Sequence, residues 1–82
     1  MLTIEYSDSI LKTIKKIKNQ NEKDQIKKQI RKIINNPETG KPMRFGRKGT
    51  RELYMGSFRL AYSFLKKEKK IILLDLYHKD EQ

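Results

Sequence analysis

From Arg51 to Phe64, large apolar residues alternate with other side chains on either side of Gly56-Ser57. Alternation that reverses at a glycine-containing dipeptide predicts a β-hairpin. Glycine first in a two-residue loop suits a type II′ turn, because only glycine takes the required positive φ without steric cost. The turn fixes the register. Met55 faces Phe58 and Leu53 faces Leu60, and these four share one side. Tyr54 faces Arg59 on the other side, with Glu52 opposite Ala61. A slip of one residue would mix the sides.

The apolar side of this hairpin needs a cover, and the N-terminal half supplies one. Leu2, Ile4 and Tyr6 alternate with Thr3 and Glu5, which predicts a first strand over 2–6. Ser7 or Asp8 then stands where a helix N-cap belongs. Ile10, Leu11, Ile14 and Ile17 follow at helical spacing, with lysines elsewhere on the wheel. Asn19-Gln20-Asn21 breaks that helix. A second begins near Glu22, carries Ile26, Ile30, Ile33 and Ile34 on one face, and ends at Asn35-Asn36 before Pro37. The two helices make an αα-hairpin whose isoleucines pack on the sheet.

Residues 37–50 form the longest stretch without periodicity, punctuated by two prolines and three glycines. Met43 and Phe45 are expected to anchor it. After the central hairpin, Lys66-Lys67-Glu68-Lys69-Lys70 marks a turn, and Ile71 to Tyr77 the last strand. A three-residue loop at 67–69 pairs Phe64 with Ile72, Tyr62 with Leu74 and Leu60 with Leu76. A loop one residue shorter would turn Asp75 into the core, at high cost. The chosen register places Arg59 opposite Tyr77 on the open side. Arg51, by strict alternation, falls on the covered side. The expected fold is α+β in the order β-α-α-β-β-β. A helical hairpin packs on one face of a small twisted antiparallel sheet, in one domain spanning 1–82.

Charge adds a functional direction. Twenty Lys+Arg against ten Asp+Glu give a formal net charge of +10 on 82 residues. Such an excess points to a polyanionic partner, either nucleic acid or an acidic protein. Residues 37–51 carry Lys41, Arg44, Arg47, Lys48 and Arg51 against a single acid, Glu38. The absence of cysteine excludes disulfides and cysteine-based zinc sites and fits a cytoplasmic protein. No apolar run is long enough to span a membrane, and no signal peptide opens the chain.

The order of elements and the segment Leu53-Tyr54-Met55-Gly56-Ser57-Phe58-Arg59-Leu60-Ala61-Tyr62 resemble the RelE/ParE toxin superfamily. Its hairpin runs leucine, basic residue, any residue, glycine, any residue, aromatic, arginine, two apolar residues and tyrosine. Tyr77-His78-Lys79 is similar to the family's basic ending. The resemblance implies a type II toxin, held inactive by an acidic antitoxin in a hetero-oligomer. RelE-like members cleave mRNA in the ribosomal decoding site, without a metal or other cofactor. The ribose 2′-OH attacks the adjacent phosphorus and the 5′-oxygen leaves. ParE-like members instead poison DNA gyrase and have no nuclease activity.

On the RelE-like branch, the resemblance implies a catalytic set of Arg59, His78, Lys79, Tyr77 and Glu52. Arg59 suits the phosphoryl charge, since guanidinium stays charged and binds phosphate bidentately. Its bland alternative is a cross-strand pair with Asp75 or Glu52. His78, the sole histidine, has a free pKa suited to proton transfer, but is equally a surface residue. Glu52 and Tyr54 stand where RelE-like members place two basic residues, which makes Glu52 a candidate base. Tyr54 and Tyr77 are candidates for stacking on a base or bonding a phosphate, or for packing. Arg44, Arg47, Lys48 and Arg51, with Tyr54, form the expected RNA-binding set. Two other readings stay open. One is a gyrase inhibitor, prompted by Glu52 and by an ending at Gln82 that lacks the family's tyrosine-bearing tail. The other is a basic RNA-binding protein without toxicity.

Overall fold

The computed structural model describes residues 2–42 and 49–78. Strand β1 (Thr3–Tyr6) leads into helices α1 (Asp8–Lys16) and α2 (Gln20–Asn35). Strands β2 (Lys41–Pro42), β3 (Thr50–Met55), β4 (Phe58–Leu65) and β5 (Lys70–His78) follow. The sheet order is β1-β5-β4-β3-β2. The α+β expectation and the order of helices and main strands hold. Two details differ. The sheet is mixed, because β1 runs parallel to β5. The short β2, within a stretch read as irregular, adds an outer strand antiparallel to β3.

The helices start where their caps dictate. Ser7 is the N-cap of α1, its Oγ accepting the Ile10 N–H at 3.1 Å, and Asp8 puts negative charge on the first turn. Asn19 caps α2 in the same way through the Glu22 N–H at 3.2 Å. The break between helices therefore lies at 17–19, and Asn19 opens the second helix rather than belonging wholly to the break. Ile10, Ile26 and Ile33 are buried, with Ile14, Ile17 and Ile30 packed beside them. Leu11 and Ile34, expected in the stripes, are exposed. Each lies one residue past a buried isoleucine, about 100° farther round its helix and off the sheet-facing arc.

The central hairpin has the predicted register throughout, from Met55 opposite Phe58 to Glu52 opposite Ala61. Gly56 has φ +58. Ser57 does not share that sign, which identifies the turn as II′ rather than I′.

The β4–β5 register is only half as predicted. Leu60 does face Leu76 and Arg59 faces Tyr77, but Phe64 pairs with Ile71 and Tyr62 with Leu73. Leu65 pairs with Lys70, so the connection has four residues, 66–69, closed by Lys69 at φ +52. A bulge opposite Ala61/Tyr62, at Leu74, absorbs the extra residue. Leu76 is in the core as predicted, but Ile71 and Leu73 enter it in place of Ile72 and Leu74. The bulge thus meets the requirement that favoured the other loop: the shifted register near the turn does not drive Asp75 inward. It also takes the Leu74 carbonyl out of the regular ladder, and that carbonyl accepts the Ser7 hydroxyl. The Ser7 N–H bonds the Leu73 carbonyl at 2.9 Å. One serine joins helix start, first strand and last strand.

Tyr62 is fully buried and holds the approach to β2. Its hydroxyl donates to the Pro37 carbonyl at 2.7 Å and accepts the Gly40 N–H at 2.9 Å. Gly40 is required by close approach, since a Cβ there would lie 2.8 Å from the Tyr62 hydroxyl and 3.1 Å from the Glu52 carbonyl oxygen.

Candidate functional site

Alternation along β3, β4 and β5 sends Glu52, Tyr54, Arg59, Ala61 and Tyr77 to the face away from the helices. Glu52 is the hub. Its Oε1 lies 3.3 Å from Arg59 Nη1, and its Oε2 accepts the Tyr77 hydroxyl. Tyr77 is on β5 and Glu52 on β3, so that contact spans the intervening strand. On β4, Arg59 is opposite Tyr77 and Ala61 is opposite Glu52, so the diagonal contact runs past a single methyl at 61. The Glu52 side chain is only 12% exposed and that of Arg59 26%. The pair is therefore well removed from solvent and less screened than a surface pair.

Tyr54 is half exposed and lies between two cations. Arg59 Cζ stands 4.3 Å from its ring centroid and Lys41 Nζ 5.3 Å. The two come from β4 and β2, the neighbours of β3 on either side. Lys41 is exposed and is register-paired with Glu52. Among the described residues no carboxylate is within ion-pair distance of it. A hollow of about 190 Å³ lined by Thr39, Lys41, Glu52, Leu53 and Tyr54 opens beside the ring.

The structure thus brings together Arg59, Glu52, Tyr77 and Tyr54. It sets the others apart. His78 continues β5 for one residue beyond Tyr77 and so turns to the helix-packed side. There it meets Phe58 edge-on, with ring centroids 5.5 Å apart. Arg51 also lies on the covered side, where Nη1 donates to the carbonyls of Glu38 at 3.0 Å and Gly40 at 2.8 Å. That guanidinium satisfies the loop backbone before β2. Of Arg59's two candidate carboxylates, Glu52 is the ion-pair partner. Asp75 accepts from Ser9 Oγ at 3.1 Å and from the Leu76 N–H at 2.8 Å. Arg44, Arg47, Lys48 and Lys79, with the anchors Met43 and Phe45, lie outside the described residues.

In the sequence Lys41 is only one basic residue of the 37–51 stretch. A two-residue strand has no periodicity to detect. The available signal was Pro42, which sits readily on an edge strand because it needs no ladder donor.

Residues 4–82 match the family model of the ParE toxin of the type II toxin–antitoxin system parDE, and the chain belongs to that family. It is a type II toxin of the RelE/ParE superfamily. No curated protein matches it. Among solved structures, a chain of the intact Escherichia coli RelBE toxin–antitoxin complex superposes with a TM-score of 0.81 at 16% identity, covering 95% of this chain and 96% of that one. YafQ from E. coli strain BL21(DE3) does so with 0.78 at 19% identity, covering 99% and 97%. A metal-bound toxin from Helicobacter pylori gives 0.75 at 26% identity, covering 99% and 98%. No helix among the described residues is long and apolar enough to cross a membrane.

Proposed function

We propose that this toxin cleaves mRNA on the ribosome by attack of a ribose 2′-OH on the adjacent phosphorus. One observation carries the reading: a carboxylate, a guanidinium and a phenol share one cluster at Glu52, Arg59 and Tyr77. Each suits one task of the reaction. Glu52 takes the 2′-OH proton as the 2′-oxygen–phosphorus bond forms. Arg59 neutralises charge growing on the phosphoryl oxygens. The bond to the 5′-oxygen breaks, and Tyr77, held on the same carboxylate, protonates that oxygen. The products are a 2′,3′-cyclic phosphate and a 5′-hydroxyl. No cofactor takes part in this scheme. His78, on the other side of β5, has no task in it. A cognate acidic antitoxin, bound in a hetero-oligomer, keeps the toxin inactive in the cytoplasm. The neighbour structures include a RelBE toxin–antitoxin complex and a DinJ–YafQ complex.

Primer extension on mRNA in a translation extract tests the reading. New 3′ ends should appear only on translated message. Arg59→Ala should lower their rate by roughly 10²–10³, the usual effect of removing one charge-stabilising donor. Intact message in the presence of active toxin would refute it.

A second reading, gyrase inhibition, is favoured by the family model itself, which is that of ParE toxins. Induction would then damage DNA while messages stay whole.

A further inference from the structure

We propose that Lys41 is a second phosphate-binding residue of the site. On this reading Lys41, Tyr54 and Arg59 seat two neighbouring phosphates of one RNA strand. The inference rests on the message-cleaving reading above for the identity of the strand, and adds the residue that fixes how the strand lies.

Tyr54 projects from β3 between β4 and β2, and each neighbour lays a cation on its ring. The negative face of an aromatic ring attracts a cation, so the ring holds both charges at set distances. Stacked this way, Tyr54 is a spacer between Arg59 and Lys41 rather than a bare platform for a base. The two cations lie closer together than the sum of 4.3 Å and 5.3 Å. That spacing is within reach of successive phosphates on an extended strand. It is also about one Debye length or less at 0.1 M salt, so the two positive charges reinforce each other's potential.

The two cations are not equivalent. Arg59 shares the Glu52 carboxylate with Tyr77, whereas Lys41 has no carboxylate at ion-pair distance among the described residues. Arg59 therefore holds the scissile phosphate in the reacting cluster. Lys41, a compact charge on a flexible stem, suits a phosphate that only needs to be held. The hollow lined by Thr39, Lys41, Glu52, Leu53 and Tyr54 leaves room for a sugar beside Lys41. The strand would run across β4, β3 and β2, roughly perpendicular to the protein strands.

The test is fluorescence anisotropy of a short single-stranded oligoribonucleotide, 2′-O-methylated to block cleavage, across a salt series. Each neutralised phosphate of a single strand contributes about 0.7 to the slope of log affinity against log salt. Lys41→Ala should lower the slope by about that amount, and Lys41→Arg should restore it. In the primer-extension assay, Lys41→Ala should raise the message concentration needed for half-maximal cleavage and leave the rate at saturation near that of wild type. An unchanged slope in Lys41→Ala, with a lowered slope in Arg59→Ala, would overturn the Lys41 assignment alone. A lowered slope in Lys41→Ala with no effect of Arg59→Ala on binding or cleavage would overturn the Arg59 cleavage reading and keep Lys41 as a phosphate contact. If Lys41→Ala instead weakens only the binding of an acidic peptide, the residue serves a protein partner and the proposal fails. Lys41 is exposed on a two-residue strand, and an unchanged melting temperature would confirm that the variant folds.

Discussion

Tyr77 reaches Glu52 across an entire strand, on which the residue opposite Glu52 is the small Ala61. The phenol and the carboxylate belong to β5 and β3, with β4 between them. A larger side chain at 61 would stand in the path. The predicted consequence is a loss of coupling. A double-mutant cycle of Glu52→Gln and Tyr77→Phe, read by urea unfolding, should give an interaction energy of about 0.5–3 kcal/mol. In an Ala61→Leu background that energy should fall towards zero. Additivity in the wild-type background would show that the two groups do not cooperate.

Tyr62 makes a second prediction, which depends on pH. Burial, the largest cause, raises its phenol above the ordinary value of 10.0, against the lowering effects of the Gly40 hydrogen bond and Arg51. Between about pH 10 and the raised folded value, the unfolded chain has lost this proton and the folded chain has kept it. The unfolded state then binds fewer protons, so stability falls as pH rises through that window. Below about pH 10 the two states hold the proton equally and this fall is absent. Tyr62→Phe should lose about 1–3 kcal/mol at neutral pH, because the buried Gly40 N–H loses its acceptor. The wild type should lose its margin over that variant as the pH passes 10. Urea midpoints of both proteins from pH 7 to 11 decide it, and parallel curves would refute the assignment.

Ser7 is expected to matter more than an ordinary surface serine. Ser7→Ala removes the cap of α1, worth about 0.5–2 kcal/mol. It also removes the hydroxyl bound to the Leu74 carbonyl. Ser7→Asp keeps the cap acceptor but cannot donate to that carbonyl. Thermal melts should rank wild type above Ser7→Asp, and Ser7→Asp above Ser7→Ala. Equal melting temperatures for wild type and Ser7→Asp would mean that the carbonyl contact contributes nothing.

The turn at Lys69 invites a stabilising change. A left-handed backbone costs an L-residue roughly 1–2 kcal/mol, and Lys69 adopts it at φ +52. Glycine avoids that strain at some cost in chain entropy. Lys69→Gly should raise stability by about 0.5–1 kcal/mol, whereas Lys69→Val should lower it. Chemical denaturation of both variants measures the sign directly.

The central hairpin was legible because its pattern and its turn agree. Gly56 demands one register, and the large residues on either side demand the same one. The β4–β5 pairing was less so. From sequence, Asp75 had to face outward, and a uniform register with a three-residue loop achieves that. A bulge at Leu74 achieves it as well, with a longer loop, and alternation does not distinguish the two. The final strand misleads for that reason: Ile71, Leu73 and Leu76 are buried at spacings of two and then three. In the candidate site, Arg59, Glu52, Tyr54 and Tyr77 could be grouped from strand parity alone. Parity also sent Arg51 to the covered side, where the structure has it. Lys41 was out of reach because its position depends on Tyr62 and Arg51 holding the loop backbone, and those tertiary contacts leave no local trace.

The parallel pairing of β1 with β5 also bears on how the protein is made. Thr3 to Tyr6 leave the ribosome well before Lys70 to Leu73, their partners. Helix α1 likewise packs mainly on β5. Strand β1 and helix α1 therefore wait until β5 has been synthesised before they can dock. Tyr77, the last member of the Glu52 cluster, arrives later still. A nascent chain that has not yet reached β5 has neither this β1–β5 pairing nor the Tyr77–Glu52 contact.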